Sequence, residues 1–86
     1  LNTMWNGLMV APDMLNGGDH VVFICGNHPD AKEKVKDILI SFGWKGKNIL
    51  DLGDISASRG TEMYLPLWLR VFGAFNSGAF NIRVIS

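Results

Sequence analysis

The densest group of polar side chains in this sequence lies in and after the apolar run ILDLG at residues 49–53. Arg59 and Glu62 are three residues apart and can form an ion pair along a helix. Asp51 sits inside an otherwise apolar run, so it needs a partner if it is buried, and Arg59 is a candidate. With Asp54 they form one cluster, and the pattern alone favours a solvated ion pair at a helix start over a reactive site.

Two glycine turns could receive an anion or a carbonyl group of a ligand. The first is Gly26-Asn27-His28, and the second is residues 53–56, Gly-Asp-Ile-Ser. In open α/β sheets, ligands bind beyond the carboxyl ends of the strands, where free N–H groups at helix N-termini can face them. Helix capping alone explains most turns of this composition, so the pattern favours capping over binding.

Three side chains that could ligate a metal surround the first apolar run. His20 and His28 lie at its opposite ends with Cys25 between them, whereas a zinc site needs three or four convergent ligands. We therefore predict no metal site, and Cys25 is expected to be a small core residue. The sequence contains no glycine-rich phosphate turn, no nucleophile elbow and no Cys-x-x-Cys pair.

The elements that must position these groups begin with a strand and a helix. Residues 21–26, VVFICG, are apolar throughout and too short for a helix, which predicts a strand buried on both faces. The next helix is predicted to be capped by Asn27 or His28, with Pro29 in its first turn and Gly43 just past its end. Helical spacing predicts that its inward face is Ala31, Val35, Ile38, Leu39 and Phe42.

A second strand and helix are predicted to follow. Residues 49–53 form the strand, and a helix capped by Asp54 or Ser56 runs to about Phe75 with a kink at Pro66. Beyond that kink the helix is apolar nearly all round, so we expect it to be buried nearly all round. With a final strand at residues 79–85, the β-α-β-α-β pattern predicts an α/β fold with a small parallel sheet, covered by helices on one face only.

Composition bounds the class of protein. The 86 residues make at most one domain, yet 48% of them are hydrophobic, which is more apolar material than so small an interior can hide. The net charge is zero, which argues against a nucleic-acid or membrane-surface protein. A single cysteine fits a reducing compartment, so we expect a cytoplasmic protein. Since the chain starts within structured sequence, we expect it to be a piece of a longer protein.

Several segments together resemble the C-terminal half of the NADP oxidoreductase family that depends on the deazaflavin coenzyme F-420. The order of motifs is similar, although Asp54 stands where the family has Pro, and Ser58 where it has Ala. The resemblance implies the second half of a Rossmann-like fold, with residues 1–86 as a single domain of that protein. The matching residues are Asn2-Thr3, Gly26, Ala31-Lys32, Gly43, Asp51-Leu52-Gly53, Ile55, Arg59 and Glu62.

The resemblance also implies an oxidoreductase that uses NADP or NAD as its cofactor in the complete protein. It places Asn2, Thr3 and Gly53 nearest the reacting ring, with Asp54 beside them on the side of the second substrate. Arg59 and Glu62 would be structural. The G-x-G-x-x-G turn that holds dinucleotide phosphates is absent from these residues, so the chain alone is predicted to be inactive and to bind no such cofactor.

Two partners follow from these predictions. One is a missing N-terminal dinucleotide-binding half, and the other is a second copy of the chain, docked through the apolar helix from Met63 to Phe75. The alternative is a non-catalytic α/β module for interaction or dimerisation, in which the same helix docks on a partner.

Overall fold

A computed structural model describes residues 1–85 and contains four α-helices and two strands. The α/β class and the small parallel sheet that the sequence predicts are both confirmed. Short 3₁₀ turns precede each strand and α3. The helices and strands are α1 (Asn6–Val10), β1 (Val22–Ile24), α2 (Pro29–Ser41), β2 (Ile49–Asp51), α3 (Ser58–Met63) and α4 (Leu65–Phe75).

Helix α2 begins and ends as its sequence predicts. Pro29 occupies the first turn, where its missing N–H leaves no unpaired donor, although His28 makes no side-chain cap. At the other end Gly43 has a φ of +110°, and the N–H groups of Gly43 and Trp44 donate to the carbonyl oxygens of Ile40 and Leu39. This Schellman motif brings an apolar residue past the helix end back onto the helix. Trp44 is buried there against Leu39.

The two strands pair in parallel and give the sheet two unlike faces. Val22 and Ile24 are buried on one face against α2. Phe23 and Leu50 are register partners on the other face, where Leu50 stays 38% exposed. The prediction that β1 is buried on both faces is therefore right for the face of Val22 and Ile24. On the other face, Phe23 is only half-buried. The buried core is formed by Met4, Leu8, Val22, Ile24, Leu39 and Trp44.

The inward face predicted for α2 is only partly inward. Leu39 is buried and Val35 packs against the core, but Ala31, Ile38 and Phe42 are exposed. Met4, just before α1, and Leu8, within it, share the core with Leu39, so α2 contacts the core along a narrow stripe. The remaining apolar side chains of α2 have no covering element among residues 1–85.

The long second helix is divided at the predicted place. Residues 55–57 form a 3₁₀ turn, α3 follows, and the helix is interrupted at Tyr64 before α4. Pro66 cannot donate to the carbonyl of Glu62, which accounts for the interruption. The prediction that α4 is buried nearly all round is wrong within this chain, because none of its residues is buried.

The expected final strand at residues 79–85 is wrong as well. That segment has no regular secondary structure. It contacts the residue just before β1 through a hydrogen bond from the N–H of Val21 to the carbonyl of Ile82, at 3.0 Å. The Asn81 side-chain amide donates to the Val21 carbonyl at 2.8 Å, where a paired strand would offer a backbone N–H. A side-chain hydrogen bond therefore stands where backbone pairing with a third strand was expected.

Candidate functional site

A cavity of about 350 Å³ opens beyond the carboxyl end of β1, between the start of α2 and α3. Ile24 and Val35 give it an apolar floor. This is the edge at which open α/β sheets bind ligands, and at which the sequence predicted the two glycine turns to lie. Its polar rim is formed by Asn2, Asn27, His28, Lys32, Ser58, Thr61 and Glu62.

The two glycine turns are joined directly. The N–H of Gly26 donates to the carbonyl of Gly53 at 3.0 Å, which extends the pairing of β1 and β2 past the ends of the strands. The Asn27 side-chain oxygen accepts the backbone N–H of Ile55 at 3.0 Å. The first turn thus positions the second, and Asn27 serves the second turn rather than capping α2.

Lys32, on α2, contacts the second glycine turn and the end of β2. Its ammonium group lies 3.1 Å from Asp51 Oδ2 and donates to the Gly53 carbonyl at 3.2 Å. The predicted partner of Asp51 was Arg59, and that prediction is wrong. The Lys32 side chain is only 19% exposed. The backbone N–H of Gly53, donating at 2.8 Å, and then Lys32 hold the pKa of Asp51 below its usual range.

Gly53 and Asp54 shape the second turn. Gly53 has a φ of +101°, a conformation that side chains with a Cβ rarely adopt. The Asp54 carboxylate caps the 3₁₀ turn by accepting the hydroxyl and the backbone N–H of Ser56. Those two hydrogen bonds, the hydroxyl first, lower the pKa of Asp54. One oxygen of this exposed carboxylate is thus committed to Ser56.

Asn2 and Glu62 meet across the cavity rim. The Asn2 side-chain amide donates to Glu62 Oε1 at 3.0 Å, which ties the start of the chain to α3. The Leu1 amino group donates to the Phe23 carbonyl at 2.7 Å and so continues along the outer edge of β1. Glu62 therefore pairs with Asn2, and the expected Arg59–Glu62 ion pair does not form among residues 1–85.

Thr3 points toward a second, smaller cavity of about 220 Å³. The residue is 2% exposed, and its hydroxyl oxygen has no hydrogen-bond partner among the described residues. A buried hydroxyl without a partner is costly, so it marks a place that a polar ligand atom would stabilise. The apolar walls of this cavity are Phe23, Leu52, Tyr64 and Ile82, and burial raises the pKa of the Tyr64 hydroxyl.

The histidines and the cysteine do not converge. His20 is buried against Trp44; its Nδ1 accepts from the Asn81 amide at 2.7 Å, so its Nε2 donates to the Pro12 carbonyl at 2.9 Å. His28 is exposed, and Cys25 is half-buried beside the larger cavity instead of in the core. Within residues 1–85 no three His, Cys, Asp or Glu side chains come together as metal ligands.

Comparison with known proteins finds a close similarity to a solved structure. The chain is similar over its whole length to a crystal structure from Arthrobacter sp. FB24, provisionally named an F-420-dependent NADP reductase, with 45% sequence identity and a TM-score of 0.92. The resemblance read from the sequence is thereby confirmed. The chain spans 38% of that protein's length. No family model and no curated protein matches the sequence. No helix in the described residues is long and apolar enough to cross a membrane.

Proposed function

We propose that residues 1–86 are a single domain, the C-terminal part of an NAD(P)-dependent oxidoreductase, and that they form one wall of its hydride-transfer pocket. The observation that carries the proposal is the close similarity, over the entire chain, to a protein named as an NADP reductase. The geometry supports it, because the residues that the resemblance assigns to the ring all lie at the carboxyl edge of the sheet or border its two cavities.

Each assigned residue has a chemical role that fits its surroundings. The Asn2 side chain at the larger cavity and the unpartnered Thr3 hydroxyl at the smaller one each offer a polar contact to a ring that carries a carboxamide. Gly53, without a side chain, lets a flat ring approach the backbone closely. Asp54 would face the second substrate with its remaining carboxylate oxygen. When bound, the nicotinamide supplies or accepts the hydride, and the chain orients it and excludes water.

The phosphates of the cofactor would be held by another polypeptide segment. The chain has no G-x-G-x-x-G turn, so it lacks the backbone cradle that binds a pyrophosphate. We propose that this cradle belongs to an N-terminal dinucleotide-binding half. The half-exposed face of the sheet at Phe23 and Leu50, and the Leu1 amine beside β1, are where such a half would join.

The second substrate is proposed from the name of the Arthrobacter protein alone. A deazaflavin of the F-420 type is the corresponding acceptor or donor of hydride. Asp54 places a carboxylate where the family has Pro, so we expect this chain to favour a second substrate with a hydrogen-bond donor or positive charge at that point.

A second candidate function is a dimerisation module built on α4. The helix has no buried residue, and its outward side chains include Leu67 at 58% and Phe75 at 71% exposure. Apolar side chains this exposed and this continuous mark interaction surfaces. The two functions are compatible, because subunits of an oxidoreductase could pair through residues 63–75.

The test of the enzyme proposal is hydride transfer by this chain joined to the polypeptide encoded upstream of Leu1 in its gene. Oxidation of NADPH would be followed by absorbance after addition of an oxidised deazaflavin. A Gly53→Val variant is expected to lose at least about a hundredfold in kcat, because a misplaced wall spoils the reacting geometry. Gly46→Val, at an open position away from the cavities, is the control. If the joined protein binds no nicotinamide cofactor, the proposal is wrong.

A further inference from the structure

The hydrogen bond between Asn2 and Glu62 has a consequence for what the larger cavity can bind. An ionised carboxylate accepts hydrogen bonds and cannot donate them. Only the nitrogen of the Asn2 amide can therefore face Glu62, and it does so at 3.0 Å. The amide oxygen is consequently turned away from Glu62. Among residues 1–85 this oxygen has no hydrogen-bond partner, and both side chains line the cavity rim.

We infer that Glu62 is a positioning residue that fixes the amide orientation of Asn2, so that the cavity selects a ligand edge that donates an N–H group. The inference deepens the proposed function and rests on it. The Asn2 oxygen is a free acceptor, and the second oxygen of Glu62 is a further acceptor at the cavity rim. A carboxamide NH₂ or a ring N–H fits this wall, and a bare carbonyl or ester oxygen does not.

The opposite side of the cavity has the reverse polarity. Lys32 lines it with a positive charge, although its ammonium group also contacts Asp51 and Gly53. The first turn of α2 lies there as well, and its free backbone N–H groups carry partial positive charge. A ligand with a donor edge and an acceptor edge would therefore be oriented in one sense only. A cavity of about 350 Å³ between these walls has room for a ring-sized ligand.

The probes are nicotinamide, which has a donor edge, and methyl nicotinate, which has the same ring and no N–H donor. Each is titrated at millimolar concentrations into the ¹⁵N-labelled chain, and binding is read from amide chemical shifts. Wild type is expected to prefer nicotinamide by about fivefold, the worth of one neutral hydrogen bond. Glu62→Gln, whose side chain allows either amide orientation, is expected to reduce that preference to less than about twofold.

Glu62→Ala removes the partner altogether and should abolish the preference, so the test stands whether or not the Glu62→Gln variant folds. Asp37→Asn and Asp37→Ala are the matched controls, because Asp37 is an exposed carboxylate on α2 away from the rim. Both controls should keep the wild-type preference. A merely structural role of Glu62 would alter stability without changing the ratio between the two probes.

The inference is overturned if wild type binds the probes equally, if neither probe binds, or if the preference survives in Glu62→Ala. Its failure is distinguishable from failure of the proposed function. Shifts centred on Asn2 and Gly53 without a donor preference reject this inference and keep the proposed site. If the chain prefers nicotinamide but the shifted amides lie away from Asn2 and Gly53, the proposed site is rejected.

Discussion

The sheet with α1 and α2, and the pair α3–α4, differ sharply in how they use their apolar residues. The first region buries Met4, Leu8, Val22, Leu39 and Trp44 in one core. The second region is rich in apolar residues as well, yet neither of its helices has a buried residue. Both are made of the same kinds of side chain, so composition does not explain the difference.

The difference teaches that burial depends on what faces an element. Trp44 is covered because the Schellman turn returns the chain onto α2. On α4, the Trp68 ring stacks on Phe72 at 5.5 Å and lies 5.2 Å from the Phe80 ring, yet no residue of the helix is buried. We interpret the first region as having a buried core of its own beside an open sheet face, and the second as a surface that a partner covers.

Replacing the buried indole should have the largest effect on this contrast. Trp44→Ala leaves a cavity in the core and removes the 2.7 Å hydrogen bond from the indole N–H to the Met9 carbonyl. We expect a loss of about 3–5 kcal/mol in the free energy of unfolding, measured by urea denaturation. Phe75→Ala, a comparable truncation on α4, should cost less than about 0.5 kcal/mol in the monomer. Equal costs would erase the distinction between the two regions.

A charge placed on α4 should affect association more than folding. Leu67→Glu is expected to raise the dissociation constant of a dimer by at least about tenfold, since it sets a charge in an apolar contact. Ile40→Glu, at a similarly exposed position on α2 (53% against 58%), is the control and should leave association unchanged. The measurement is size-exclusion chromatography with light scattering. Wild type that stays monomeric at high concentration would contradict the proposed subunit interface.

Loosening the junction of the two glycine turns should have a smaller effect. Lys32→Met keeps most of the length of the side chain and removes the contacts to Asp51 and Gly53. Because the Asp51 carboxylate is exposed to solvent, we expect only a small loss of stability. Faster hydrogen exchange at the amide of Gly53 would locate the change at the turn. Lys34→Met, an exposed neighbour on α2, is the control and should change neither quantity.

The smallest expected effect is a pH dependence of the protein's stability. The pKa of Asp51 is lower in the folded state than in the unfolded state. The ionised carboxylate therefore stabilises the fold at pH values above the unfolded-state pKa, and this stabilisation is lost as the pH falls through the folded-state pKa. Thermal unfolding should thus show a loss of stability below about pH 4, where an unperturbed Asp titrates. Asp51→Asn should show a shallower loss over the same range. A steeper loss in that variant would contradict the sign of the shift.

Much of the fold is predictable because it depends on neighbours in sequence. Pro29 and Gly43 mark the ends of α2, and Pro66 marks the break between α3 and α4. These signals act within one helical turn. The burial of Trp44 could also have been predicted from the sequence, because an apolar residue after a C′ glycine commonly packs back onto its helix.

The features that the sequence did not predict depend on residues far apart in the chain. Lys32 and Asp51 are brought together by the parallel pairing of β1 and β2, which no local pattern encodes. Residues 79–85 have a strand-like composition, but Asn81 occupies the place of a strand donor at Val21. Of the candidate site, the edge of the sheet and its two glycine turns were predicted, whereas the partners of Asn2 and Asp51 were not.

The most direct test of the central claim is calorimetric titration of NADPH into two proteins. One is this chain alone, and the other is the chain joined to the polypeptide encoded upstream of Leu1. We predict micromolar affinity for the joined protein and no measurable binding at micromolar concentrations for the chain alone, because the phosphate cradle lies outside these residues. Micromolar binding by the chain alone, or none by the joined protein, would contradict the account.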